Sequence, residues 1–232
     1  MADVPGEPLT TQSKAAGATT ATVQPFDQLS GIKEHICGFH FYAHDATRFV
    51  HAHHLCSHVN EDFRQCVIYD SARANARLIG IEYIISEKLF AALDDEEKKY
   101  WHSHDFEVRS GVLAAVAPKL MPEAGVRPIE RQAMMSLQKT YGKTWHTWQV
   151  DRHDSLPLGP AQLMMAMTDE SQIDPAIVKK REQEEGINVD VKREERKDME
   201  PYAPLPGADA WTVGQTIQVV PERMNMKRSV AA

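Results

Sequence analysis

Apolar and polar positions alternate along this chain in blocks that change period several times. From Ala46 to Phe63, Phe49, Leu55, Cys56, Val59 and Phe63 recur at helical spacing behind a plausible N-cap at Asp45, which predicts a helix. The short apolar run Cys66 to Tyr69 and the run Ala76 to Ile85 around Gly80, joined by the polar stretch Asp70 to Asn75, predict two strands. Ser86 to Leu93 and Asp94 to Lys98 read as two short helical turns, the second with acids at its positive end. Trp101 to Val108 and Gly111 to Ala117 read as strands, a helix is predicted from Pro128 to Lys139, and Lys143 to Val150 alternates as another strand.

Strands followed by short helices, with no βαβ rhythm and no Gly-rich phosphate loop, predict an α+β single domain: a mainly antiparallel sheet with packed helices. Residues 1 to 28 are rich in Thr, Ala, Gly and Pro and have too few large apolar side chains to offset their ordering entropy, so a disordered leader is expected. The domain is expected over residues 29 to 168. Residues 169 to 232 are expected as a charged extension, with 169 to 200 a solvated helix and linker and 201 to 232 a segment that adds a strand or wraps the core. The apolar stretch Leu156 to Met167 is broken by Pro and Gly and reads as a covering segment.

Composition narrows the partners. With 26 basic and 33 acidic residues the formal charge is −7, and no Lys/Arg block stands clear of neighbouring acids, which argues against nucleic acid. The N-terminus lacks a secretory h-region, and no run of about 18 apolar residues is present to span a bilayer. Cys37, Cys56 and Cys66 form no CxxC pair and are odd in number, which favours a reducing, cytoplasmic setting over a disulfide framework.

The chemistry-bearing feature is histidine. Eight of eleven fall in two clusters: His40, His44, His51, His53, His54 and His58, then His102 and His104. Imidazole both ligates transition metals and moves protons near neutral pH. On the predicted helix, His54 and His58 at i and i+4 could reach one ion, although Leu55 stands where a His-Glu-x-x-His metalloprotease has its general base. His102 and His104, two apart on a strand, project to one face, which puts Glu107 on the other. His146, between Trp145 and Trp148, is a third candidate. Glu82 is the carboxylate of greatest interest, because inside the apolar run Leu78 to Ile85 it needs a cation, an Arg such as Arg77, or a shifted pKa. His54, His58, Glu82, His102, His104 and His146 are thus the candidate ligands for zinc, copper, iron or manganese. The competing reading is a polar face satisfied by hydrogen bonds. No Ser elbow is present, and no nucleophile signature surrounds a cysteine.

Several runs carry a family resemblance: His35 to Asp45, His53 to Ser71, Ala76 to Ile85, Tyr100 to His104, Tyr141 to Thr144 and Trp148 to Arg152. Together these resemble the oil body-associated protein family over about residues 30 to 170. The resemblance implies association with oil bodies (lipid droplets) and support of their formation or stability. It carries over no catalytic residues. A droplet protein without a membrane span attaches through an amphipathic face or a droplet protein partner, and the apolar side chains Leu156, Leu158, Leu163, Met164 and Met167 are the lipid-contact candidates.

Overall fold

A computed structural model describes residues 4–118, 123–172 and 174–226. Its centre is one antiparallel sheet of long strands: β1 (Ile32–Tyr42), β2 (Asp45–Asn60), β3 (Phe63–Tyr69) and β4 (Leu78–Ser86), with two-residue strands β5 (His102–Ser103) and β6 (Ala114–Ala115), then β7 (Thr140–His146) and β8 (Gln162–Met165). Pairing runs β2-β3-β4-β7-β8-β1, and β1 also pairs with β2, so six strands close on themselves as a barrel. β5 extends the edge of β7 and β6 that of β1. Closure removes the exposed edges an open sheet would leave. The fold is α+β and mainly antiparallel.

The region Ala46 to Phe63 is strand β2, not a helix. It lies in register with β1 on one side and β3 on the other, His54 opposite Ile36 and Ile68. Helical spacing among its apolar residues is a by-product of two half-covered faces: Val50, Ala52, His54 and Cys56 point into the barrel, while His51 and His53 are covered from outside. A strand buried on both faces loses the clean alternation that identifies it. Cys56 and Cys66 stand directly opposite across β2 and β3 and form a disulfide, while Cys37 is free and buried, so the unpaired cysteines expected from the sequence are corrected for two of the three.

Register fixes what faces inward. Opposed residues in adjacent strands share a face, and the ring Ile36, His54, Ile68, Gly80, His146 and Gln162 runs from strand to strand with one parity. Tyr42, Val50, Ala52, Ile68, Trp148 and Met164 form an apolar layer at one end of the interior. Ile36, Cys56, Cys66, Ile84, Leu113, Met134 and Leu137 form another at the opposite end. His40 on β1, His54 on β2 and Glu82 on β4 each fall between a residue of one layer and a residue of the other.

Helices α1 (Thr11–Val23) and α2 (Asp27–Ser30) precede the barrel, and α1 bears no buried residue. The expected disordered leader therefore contains a capped helix, Ser13 N–H bonding Thr10 Oγ1, whose side chains are almost all exposed. After β4 come α3 (Glu87–Ala91) and α4 (Asp95–Lys98), as the two predicted turns require. The expected strand Trp101 to Val108 is only β5, followed by α5 (Asp105–Ser110), and the expected strand Gly111 to Ala117 is only β6. Helix α6 (Glu123–Leu137) begins five residues before the predicted Pro128.

The charged stretch expected as a solvated linker is docked instead. It forms α7 (Pro175–Glu185) and α8 (Val189–Glu195), and Arg181, Lys192 and Arg196 are buried. Arg181 donates to Val112 O at 2.7 Å; Arg196 donates to Val108 O, Leu113 O and the buried Glu130 carboxylate. The final described segment wraps the barrel without adding a strand: Trp211 packs edge-on against Phe41 at 4.7 Å between centroids, and Thr216 donates to Ala43 O. Leu163, Met164 and Met167 are wholly buried, so these three lipid-contact candidates are core residues, whereas Leu156 and Leu158 are exposed.

Candidate functional site

Glu82 lies in the middle of the barrel, 2% exposed. Four imidazole Nε2 atoms surround its carboxylate: His54 at 2.8 Å and His40 at 4.0 Å from Oε2, His102 at 3.3 Å and His104 at 3.4 Å from Oε1. Four different parts of the chain deliver them: β1, β2, β5 and the residue that precedes α5. β5 is short, but Asp209 from the C-terminal segment fixes it, accepting from Ser103 N at 3.0 Å and Ser103 Oγ at 2.6 Å.

Close approach is possible because of a glycine. A Cβ on Gly142 of β7 would fall 2.1 Å from Glu82 Oε1 and 2.5 Å from His102 Nε2, so any larger residue would push the carboxylate and the imidazole aside.

Around these four imidazoles, two further contacts set ring orientation. His40 Nδ1 lies 3.0 Å from His146 Nε2, so His146 braces His40 and does not reach the carboxylate itself. His104 Nδ1 lies 2.9 Å from Thr140 Oγ1, whose hydroxyl proton is committed to Leu137 O at 2.7 Å. Thr140 can therefore only accept from His104, which places a proton on Nδ1 and turns Nε2 toward Glu82. Glu107, on α5, is also buried, and one of its oxygens groups with His102 and His104 nitrogens within 4.8 Å; His40, Glu82 and His102 form a second such group.

Electrostatics follow from burial. Desolvation, reinforced by repulsion from His54, pushes His40 well below the ordinary imidazole range despite the nearby Glu82. Burial likewise lowers His104, and lowers His146 to about 3. Burial alone would raise Glu82, but attraction to His54 and the close approach of the His102 and His104 imidazoles hold the carboxyl well below its usual value. Burial, with the charge of Glu82, raises Glu107 well above that value. A buried carboxylate held in its ionised form among imidazoles, of which burial disfavours the charged form of His40 and His104, is an arrangement suited to a cation or a proton relay.

Of the candidate residues read from sequence, the structure brings together Glu82, His54, His102 and His104, with His146 one contact further out. It excludes His58, whose half-exposed ring sits between Glu34, 2.9 Å away, and Arg64. On a strand, residues four apart are separated by about 13 Å, so the helical pairing of His54 with His58 disappears. His40 and Glu107 are the residues the sequence reading left out. The alternation Ile36, Gly38, His40, Tyr42 marks His40 as inward once β1 is recognised. Glu107 carried no such signal, because a helix begins at Asp105 and abolishes the strand parity that put it on the opposite face.

Fold and site together define a closed antiparallel barrel enclosing a carboxylate ringed by histidines. Residues 25–200 match the family described as "Protein of unknown function (DUF1264)". The chain is 48% identical to oil body-associated protein 1A of Zea mays over 84% of its length and 79% of the relative's. It is 47% identical to oil body-associated protein 1B of Arabidopsis thaliana over 83% and 77%, and 41% identical to oil body-associated protein 2A of Zea mays over 95% and 87%. No solved structure is significantly similar to it. The chain belongs to the oil body-associated protein family.

Proposed function

We propose that this protein resides peripherally at the surface of oil bodies, from the cytoplasmic side, and supports droplet formation or stability. The observation that carries the proposal is relatedness: proteins named for oil bodies are 37–48% identical to this chain over most of its length. Among the described residues no helix is long and apolar enough to cross a membrane, so attachment in this proposal uses exposed apolar side chains or a droplet protein. Leu156 and Leu158 project from the loop between β7 and β8, which is tied down by Trp148 Nε1 donating to Asp154 O at 3.0 Å. They are the proposed lipid contacts.

The test uses the full chain, fluorescently tagged in lipid-loaded cells, with droplets recovered by flotation. Droplet-coincident fluorescence and co-flotation are expected, reduced in Leu156→Ser/Leu158→Ser. A diffuse signal with no recovery in the floating fraction would overturn the proposal.

A further inference from the structure

We propose that the barrel is a metalloprotein core: a single divalent first-row transition metal ion bound by Glu82, His40 and His102, with His54 and His104 beside the same carboxylate. Three geometric observations carry this, and none depends on the droplet reading.

First, donor atoms converge. Tetrahedral ligands bonded at 2.0–2.1 Å lie about 3.3 Å from one another. One donor atom each from His40, Glu82 and His102 lie within 4.8 Å of one another, while His54 Nε2 is 2.8 Å from Glu82 Oε2 and His104 Nε2 3.4 Å from Oε1. The polar wall formed by His40, His54, Glu82, His104 and Glu107 borders a void of about 10 Å³, room for one small occupant.

Second, the nitrogens are unsatisfied as a hydrogen-bonded core. Both ring nitrogens of His54 and both of His102 are buried without a hydrogen-bond partner among the described residues. His54 Nε2 and His102 Nε2 lie 2.8 and 3.3 Å from the carboxylate without a hydrogen bond to it. Buried polar atoms normally find partners, and each orphan is destabilising. Four in one place call for a ligand.

Third, hydrogen bonds aim the rings inward. His104 Nδ1 donates to Thr140 Oγ1, whose own proton goes to Leu137 O, and this turns His104 Nε2 toward a Glu82 oxygen 3.4 Å away. The contact of His40 Nδ1 with His146 Nε2 at 3.0 Å likewise turns His40 Nε2 toward Glu82, an outer-shell brace of the kind that metal-bound imidazoles use. A ligand set of several imidazoles and one carboxylate suits zinc, iron(II), manganese or copper, and no sulfur is contributed.

The experiment expresses the full, untagged chain in medium supplemented with zinc or cobalt, so that metal enters during folding, and measures metal per chain after gel filtration. About one equivalent is expected, with visible d–d absorption for the cobalt form, as a closed site requires. Glu82→Gln and His102→Gln are expected to lower retained metal at least tenfold while keeping the circular dichroism of the barrel. The control His51→Gln/His53→Gln alters a separate group on the outer face, where His51, His53 and Glu185 approach one another, and is expected to keep its metal. Should the interior variants fail to fold, that control decides alone: retention supports the interior site, loss overturns it. Less than about 0.1 metal per chain in folded wild-type protein, after zinc, cobalt, iron(II) and manganese in turn, would also overturn it and leave a proton-sharing core.

Discussion

His54 Nε2 and Glu82 Oε2 lie 2.8 Å apart in the barrel interior, on strands β2 and β4, which are separated by β3. Glu82 stands opposite Cys66 and His54 opposite Ile68, so the two side chains meet diagonally across β3. Their contact holds together strands that share no hydrogen bond.

Removal of the carboxylate therefore takes from the buried imidazoles the group they surround. Glu82→Ala leaves them facing a cavity, and a buried polar group left without a partner costs about 1–3 kcal/mol. Urea unfolding with chelator present is expected to show that loss. A change below about 0.5 kcal/mol, the range of ordinary surface substitutions, would mean that the cluster contributes nothing to the fold.

Gly142→Ala tests the same centre without removing any candidate ligand. The added methyl would sit 2.1 Å from Glu82 Oε1, closer than any real contact, and relief requires the carboxylate and His102 to move. Overpacking of this kind costs about 1–3 kcal/mol. A lower melting temperature by calorimetry is expected; an unchanged one would show that the interior has slack that the geometry denies.

Legibility in the sequence followed from how each residue's environment is built. Glu82 was identifiable because a carboxylate in an apolar run must be compensated, and strand β4 really does present alternate residues to one interior. The first histidine cluster was misplaced on a helix because β2 is covered on both faces, inside by the barrel and outside by α7, so its alternation is masked. His104 joins the centre only through the turn from β5 into α5, which no local pattern announces. The stretch 169 to 200 looked solvated because its charge is high, yet Arg181, Lys192 and Arg196 are buried against carbonyls and a glutamate that lie far away in sequence.

Glu130 tests that last point. It is 3% exposed and accepts from Arg196 at 2.9 Å and from Ala115 N–H at 3.1 Å, with Lys192 against its other oxygen. Glu130→Ala takes from Arg196 its hydrogen-bonded carboxylate and leaves the carbonyls of Val108 and Leu113 and the weaker attraction of Glu195. A loss of about 3–5 kcal/mol is expected, which for a chain of this size lowers the melting temperature by about 10 °C. A solvated helix and linker would give no shift.

Acid stability reports on the outer face of β2. Burial lowers His51 to about 2 and His53 to about 3, the latter reinforced by His35, whose Nε2 is 3.1 Å from His53 Nδ1. Arg181 and Lys180 on α7 add repulsion at His51, whereas Asp70, near His53, and Glu185, 3.5 Å from its Nε2, oppose the shift. An unfolded histidine titrates near 6.5. Between that value and about 3 the unfolded chain binds the proton that folded His53 refuses, so unfolding takes up protons and stability must fall as pH falls. The contribution is fully present above about pH 6.5, is reduced on the order of 1–2 kcal/mol by pH 5, and is exhausted near the folded value. Chemical unfolding from pH 7.5 to 4 is expected to show this acid limb, shallower in His53→Gln, which has no proton to take up. An equally steep limb in that variant would assign the acid sensitivity to groups other than His53.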